Sequence, residues 1–200
     1  MGTDTIRVFF DYSSPWAYLG TERVEAVAAR QAARVVYQPF LLGGLFRAIG
    51  TPMVPLDTMP APKARYVRRE IERFAERDGI PYRFSSRFPL RTVDALRLTV
   101  LVPEEGRAPI VHSIMRATWA EDRDPADRAV LADCLRDAGL HASLLDRIGE
   151  AKAALIAATD EAIALGVPGA PTFQVGTELF WGQDRLLFVE KALVSEGENA

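Results

Sequence analysis

Val8, Phe9 and Phe10 are consecutive and apolar, which predicts a strand over residues 5 to 11 that is covered on both faces. Pro15 suits the first position of a helix and Ser14 the cap before it. Gly20, Val24, Val27 and Ala28 then recur at helical spacing, which carries this helix to about Ala33. Val35 to Leu41 reads as a second strand. A strand, a helix and a strand within about forty residues predict a right-handed parallel unit, ended at Gly43-Gly44.

The pattern then changes. Pro52, Pro55, Pro60 and Pro62 block regular structure over residues 50 to 62. Val67, Ile71, Phe74 and Ala75 mark the apolar face of a helix from Lys63 to Arg77, stopped at Gly79. Residues 80 to 90 read as irregular. Further helices are predicted from Thr92 to before Pro103, from Ala108 to Glu121, from Asp124-Pro125 to Gly139, and briefly over Ser143 to Gly149. Ala151 to Leu165 is the next long helix. Leu155 and Ala162 lie seven residues apart, as do Ile156 and Ile163, which puts one face inward. Thr172 to Val175 and Glu178 to Phe180 flank Gly176-Thr177 as a tight hairpin. A last helix starts near Gln183 and fades into the polar tail Ser195 to Ala200.

Two lobes follow from this order. Residues 1–44 and 151–200 form a mixed-sheet lobe, and residues 45–150 form an inserted helical one. A cleft between them is the expected ligand site.

Composition adds limits. The chain has 200 residues, 48% hydrophobic and 26% charged, which suits an ordinary globular protein with one ample core. A formal net charge of −3 argues against nucleic acid as a partner. The run Arg65-Tyr66-Val67-Arg68-Arg69 is followed by Glu70, Glu72 and Glu76, so it reads as a solvated face of mixed sign. No apolar run approaches the ~20 residues of a membrane span, and Met1-Gly2-Thr3-Asp4 has no signal-like character. The single cysteine, Cys134, excludes an internal disulfide and a Cys-x-x-Cys pair. A cytoplasmic location is expected. His112 and His141 lack partners at metal-binding spacing, so no metal is expected.

The candidate chemistry starts at Ser14, whose hydroxyl stands at the mouth of a helix that follows a strand. Free N–H groups and the positive end of the helix dipole converge there and favour an anion. On its own, this stretch reads Ser14 as a plain helix cap, as most Ser-Pro pairs of this kind are. Read alone, Pro171 is a structural proline at a strand edge and Asp184 a favourable charge at a helix start.

Asp11 to Leu19, with its Ser14-Pro15-Trp16-Ala17 turn, is one of two informative stretches. The other joins Gly166-Val167-Pro168-Gly169-Ala170-Pro171-Thr172 to Trp181-Gly182-Gln183-Asp184-Arg185. Together with the order of elements, they resemble the 2-hydroxychromene-2-carboxylate isomerases and the kappa-class glutathione transferases. The resemblance covers nearly the whole chain. It implies an α/β thioredoxin-like fold of DsbA-like type with a large all-helical insertion. Ser14-Pro15-Trp16-Ala17 stands where dithiol relatives carry Cys-x-x-Cys, so disulfide exchange at this turn has no sulfur to use.

The resemblance also implies glutathione as cofactor. Ser14 would hold its thiolate. Ala170, before a cis Pro171, would pair with its backbone. Gln183 and Asp184 would bind its γ-glutamyl end, and Lys63 lies at a basic position near it. A solvated lysine at a helix start is an equal reading of Lys63. Trp16 and Tyr18 could line the acceptor pocket. Thr51 and Arg91 stand where relatives tend to carry Asn, which leaves the substrate open; Arg91 offers a charge for an acidic one.

The function so implied is a cis–trans isomerase interconverting 2-hydroxychromene-2-carboxylate and trans-o-hydroxybenzylidenepyruvate by reversible thiolate addition. The alternatives are a kappa-like transferase acting on small electrophiles and a non-catalytic binding module. Relatives imply a homodimer.

Overall fold

The computed structural model describes residues 4 to 195. The readings of Met1 to Thr3 and of the tail beyond Ser195 lie outside them. The chain opens with β1 (Thr5–Phe10), which is buried throughout. Its one charged member, Arg7, donates to Gln174 Oε1 at 3.3 Å and to Glu161 Oε1 at 2.9 Å, which satisfies a guanidinium that is only 7% exposed. Helix α1 (Pro15–Arg30) follows, and β2 (Arg34–Pro39) returns beside β1 in parallel.

Helix α2 (Leu42–Ile49) corrects the expectation that the unit ends at Gly43-Gly44. Two partners distant in sequence override the weak helix propensity of paired glycines. Asp11 Oδ2 accepts from the Leu42 N–H at 2.9 Å, and Thr159 Oγ1 accepts from the Leu41 N–H at 3.0 Å. Gly44 is also where α2 meets a later helix, the one that carries Thr159: a Cβ there would stand 3.0 Å from Thr159 Cγ2. The proline-rich stretch holds one short turn of helix, α3 (Pro55–Thr58).

Helix α4 (Ala61–Asp78) ends at Gly79 as expected, and α5 (Val93–Leu101) starts after Thr92. Thr92 does not cap α5 with its side chain; its hydroxyl donates to Asp11 Oδ1 at 2.7 Å. A short 3-10 turn (Glu104–Gly106) leads into α6 (Arg107–Trp119). Helix α7 (Arg128–Asp137) begins later than Asp124-Pro125, because Asp124 turns the loop through the Ala126 N–H while Asp127 caps through the Ala129 N–H.

The region expected as a short helix is a 3-10 stretch (Ala142–Ala151) that runs into α8 (Lys152–Ala164). Leu155 and Ala162 face inward, but Ile156 is exposed. Strands β3 (Thr172–Val175) and β4 (Glu178–Trp181) form the hairpin, with Val175 opposite Glu178. A 3-10 turn (Gln183–Arg185) precedes α9 (Leu186–Ser195), so the last helix proper starts three residues after Gln183.

The sheet order is β2-β1-β3-β4, with β1 parallel to β2 and antiparallel to β3. Apolar side chains from the sheet and from α4 to α7 belong to one continuous buried cluster. Trp119 on α6 ties the two parts together: it is fully buried, and its Nε1 donates to the Tyr12 carbonyl at 2.8 Å. Tyr12 in turn shares a 2.6 Å hydrogen bond with Thr99 on α5. The helices are thereby held over the turn that follows β1. Among the described residues, no helix is long and apolar enough to cross a membrane.

Candidate active site

The turn after β1 is built around one carboxylate. Asp11 is 1% exposed and accepts from the Ser13 N–H, the Leu42 N–H and the Thr92 hydroxyl. Burial pushes its pKa up, while these hydrogen bonds pull it down without fully offsetting the loss of solvent. In the sequence, Asp11 stands only as the start of the stretch that carries Ser14. In the structure it fixes the starts of α2 and α5 against the turn, and the Ser14 N–H donates to its carbonyl at 3.1 Å.

Ser14 is the N-cap of α1, and its Oγ accepts from the Ala17 N–H at 3.1 Å. Its hydroxyl proton goes to the Ala170 carbonyl at 2.8 Å. Pro15 occupies the start of the helix, where a missing N–H leaves nothing unsatisfied. The Ala170–Pro171 bond is cis. Pro171 lies close against α1: a Cβ at Gly20 would stand 3.0 Å from Pro171 Cγ, so a glycine is needed for the two to meet. The Gly182 N–H donates to the Pro171 carbonyl at 3.0 Å, which brings the Gln183 turn to the same place.

Gln183 is 2% exposed. Arg23 donates to its Oε1 at 2.6 Å and to its carbonyl at 3.2 Å, and also pairs with Asp78 at 3.2 Å. The acceptor side of the Gln183 amide is thus taken, and its NH2 remains the end that can donate. Asp184 is half exposed and pairs loosely with Arg185 at 3.5 Å. Sequence reasoning missed Arg23. It sits on the outer side of an amphipathic helix, and only the fold shows that it meets Gln183.

These groups line one cleft of about 1200 Å³. Ser14, Trp16, Thr51, Arg91, Ala170, Pro171, Gln183 and Asp184 all border it. Trp16 is half-buried and packs edge-on against Phe74 at 5.9 Å. Thr51 reaches the cleft because its N–H folds back to the Phe46 carbonyl at 2.9 Å as α2 ends. Phe46, Phe74, Phe84 and Phe88 make the rest of the wall largely apolar.

Two expected site residues lie elsewhere. Tyr18 is 1% exposed and donates to the Pro81 carbonyl at 2.7 Å; it faces the core three residues along α1 from Pro15 and is not on the cleft wall. Lys63 is exposed in the first turn of α4 and does not border the cleft. Arg97 on α5 does border it, and sequence reasoning did not single it out. Cys134 is buried away from this cleft, in a smaller cavity lined also by His112 and Arg123. A cluster of side chains fit to hold a metal ion is absent among the described residues.

The arrangement can hold an anion at Ser14 and supply no thiol of its own. The chain is 29% identical over 195 residues to 2-hydroxychromene-2-carboxylate isomerase of Sphingobium xenophagum, covering 96% of this chain and 99% of that one. It is 27% identical to "Glutathione s-transferase kappa 2" of Caenorhabditis elegans, covering 90% and 88%. A solved structure of 2-hydroxychromene-2-carboxylate isomerase superposes with a TM-score of 0.84 at 24% identity, covering 98% of this chain and 97% of that one. Residues 5–194 match the model of the DSBA-like thioredoxin domain, and the chain belongs to that family.

Proposed function

We propose that the protein is a glutathione-dependent cis–trans isomerase of a small, unsaturated aromatic acid, of the kind that interconverts 2-hydroxychromene-2-carboxylate and trans-o-hydroxybenzylidenepyruvate. The observation that carries this is Ser14: a hydroxyl at a helix N-terminus, at the polar end of an apolar cleft that contains no cysteine. The relatives named isomerase and kappa-class transferase support the reading.

The residues present fit glutathione. The Ala170 backbone lies beside Ser14, the Gln183 amide has a free donor end, and the Asp184 carboxylate suits an ammonium. When bound, glutathione supplies a thiolate that adds reversibly to the conjugated double bond and leaves again, so the bond rotates and no thiol is consumed.

The chain's own groups do the rest. Ser14 has one hydroxyl proton, and in the structure it is given to the Ala170 carbonyl. Rotation of the hydroxyl redirects that proton to a sulfur anion and frees the Ala170 carbonyl to accept from a bound peptide. The Ala17 N–H stays on Ser14 Oγ and strengthens the hydroxyl as a donor. A free thiol with pKa ~8.5 is a few per cent ionised at neutral pH, and lowering it by two units takes roughly 2.7 kcal/mol. One charge-assisted hydrogen bond and a helix end supply about that much. The apolar walls hold the acceptor's ring and keep water from the anion.

A thiol count separates this reading from a transferase that uses the same anion. Purified protein is incubated with the ring-opened acid and a stoichiometric amount of glutathione. Interconversion of the isomers with free thiol unchanged is expected. Loss of thiol in step with loss of the acid means a transferase and overturns the isomerase.

A further inference from the structure

We propose that Arg97 receives the carboxylate of the acidic acceptor. This rests on the reading of the cleft as an acceptor site and goes beyond it by assigning the charge to one residue.

Arg97 borders the cleft from α5, and its Nε is buried without a hydrogen-bond partner. Burying a guanidinium N–H unpaired is costly, so the atom favours any acceptor that reaches it. The ion pair of Arg97 runs from Nη1 to Asp94 Oδ1 at 3.6 Å, beyond hydrogen-bond range, and the Asp94 side chain is 55% exposed. With Nη1 turned to Asp94, the edge that includes Nε remains. In this protein Arg30 uses that edge as a fork on Glu190, with Nε at 2.6 Å and Nη2 at 3.1 Å. A carboxylate entering the cleft meets the exposed part of the Arg97 guanidinium first, and a small turn of the group brings its Nε into the same fork.

The position suits the chemistry. Thr92, just before α5, is bonded to Asp11, and Asp11 holds the Ser14 N–H. Arg97 lies about 7 Å further along the helix axis, so an acid held there keeps its unsaturated chain over the turn that carries Ser14. The surrounding wall includes Phe84 and Phe88. Apolar surroundings strengthen a charge pair and exclude competing water. Arg91 also borders the cleft, but it is exposed, where a charge pair gains little.

Cinnamate and cinnamamide test this, because they share size and shape, differ in charge and need no thiol. Calorimetry on the full chain gives both dissociation constants. Wild type should prefer cinnamate by about tenfold or more, as expected for one partly buried charge pair. Arg97→Gln should reduce the preference to within about twofold of none, and Arg91→Gln should leave it intact. Asp94→Asn removes the competing carboxylate and should raise the preference, which keeps the test decisive if Arg97→Gln does not fold. A preference that survives in Arg97→Gln, falls in Arg91→Gln or is unmoved in Asp94→Asn overturns the proposal. So does a wild type that binds neither probe or both alike. Glutathione titrated into the same proteins separates the two readings. Glutathione binding without a cinnamate preference removes Arg97 and spares the glutathione site. The preference without glutathione binding does the reverse.

Discussion

Asp11 shows how one almost fully buried side chain can set the site that it borders. Both of its oxygens accept from a backbone N–H, Oδ1 from Ser13 and Oδ2 from Leu42. Whichever oxygen becomes NH2 in Asp11→Asn therefore faces another donor. Leaving a buried N–H without a partner costs about 1–3 kcal/mol, so Asp11→Asn should lose about that much in urea unfolding. An unchanged midpoint would mean that the carboxylate does not hold the turn. Ser14 was legible in the sequence because Ser-Pro after an apolar run is a local signal. Asp11 and Arg23 were not, since each acts through residues far along the chain, and Arg97 was not, since only the fold puts it beside the cleft. Tyr18 was misplaced for a related reason: on a helix buried on most sides, spacing from Pro15 does not say which side faces a ligand.

At the scale of elements, α6 is pinned to α1 and β2 by charge as well as by packing. His112 lies 3.1 Å from Glu22 Oε1 through Nδ1 and 3.0 Å from Glu25 Oε1 through Nε2, and Tyr37 donates to Glu25 at 3.0 Å. Two carboxylates on opposite ring nitrogens fit an imidazolium, which donates from both. Burial alone would lower the His112 pKa, but these hydrogen bonds and charges together raise it to about 9. A folded pKa above the unfolded value of ~6.5 stabilises the fold fully below that value, and the stabilisation is lost as pH rises through about 9. Unfolding free energy should fall by roughly 2 kcal/mol between pH 6.5 and pH 9, after allowing for the partial exposure of the group. In His112→Gln that fall should be absent; the same slope in both proteins would contradict the assignment. The strands and long helices were readable from their periodicity. Helix α2 was hidden because Gly43 and Gly44 are turn-forming residues by themselves, and only Asp11, Thr159 and the close approach of α8 turn them into helix.

For the whole molecule, the two-lobe division by residues 1–44 and 151–200 against 45–150 is a proposal about sequence order. The packing adds that one apolar cluster runs through both parts. The cleft follows from that arrangement: its polar end comes from the turn after β1 and from the loops around β3 and β4, and its apolar wall from α2, α4 and the segment before α5. Family membership was legible because the Ser14 and Pro171 stretches, far apart in sequence, recur in a fixed order of elements. The lining of the cleft was less so, because Thr51, Arg91 and Arg97 come from different stretches and only the fold brings them to one cleft. The central claim is that Ser14 and the α1 N-terminus hold a glutathione thiolate. It is tested most directly by thiolate absorbance of bound glutathione across pH, in wild type and in Ser14→Ala. Wild type should show a thiol pKa about two units below ~8.5, and Ser14→Ala should return it most of the way. A bound thiol with the same pKa in both proteins, or no binding at millimolar glutathione, would contradict the account.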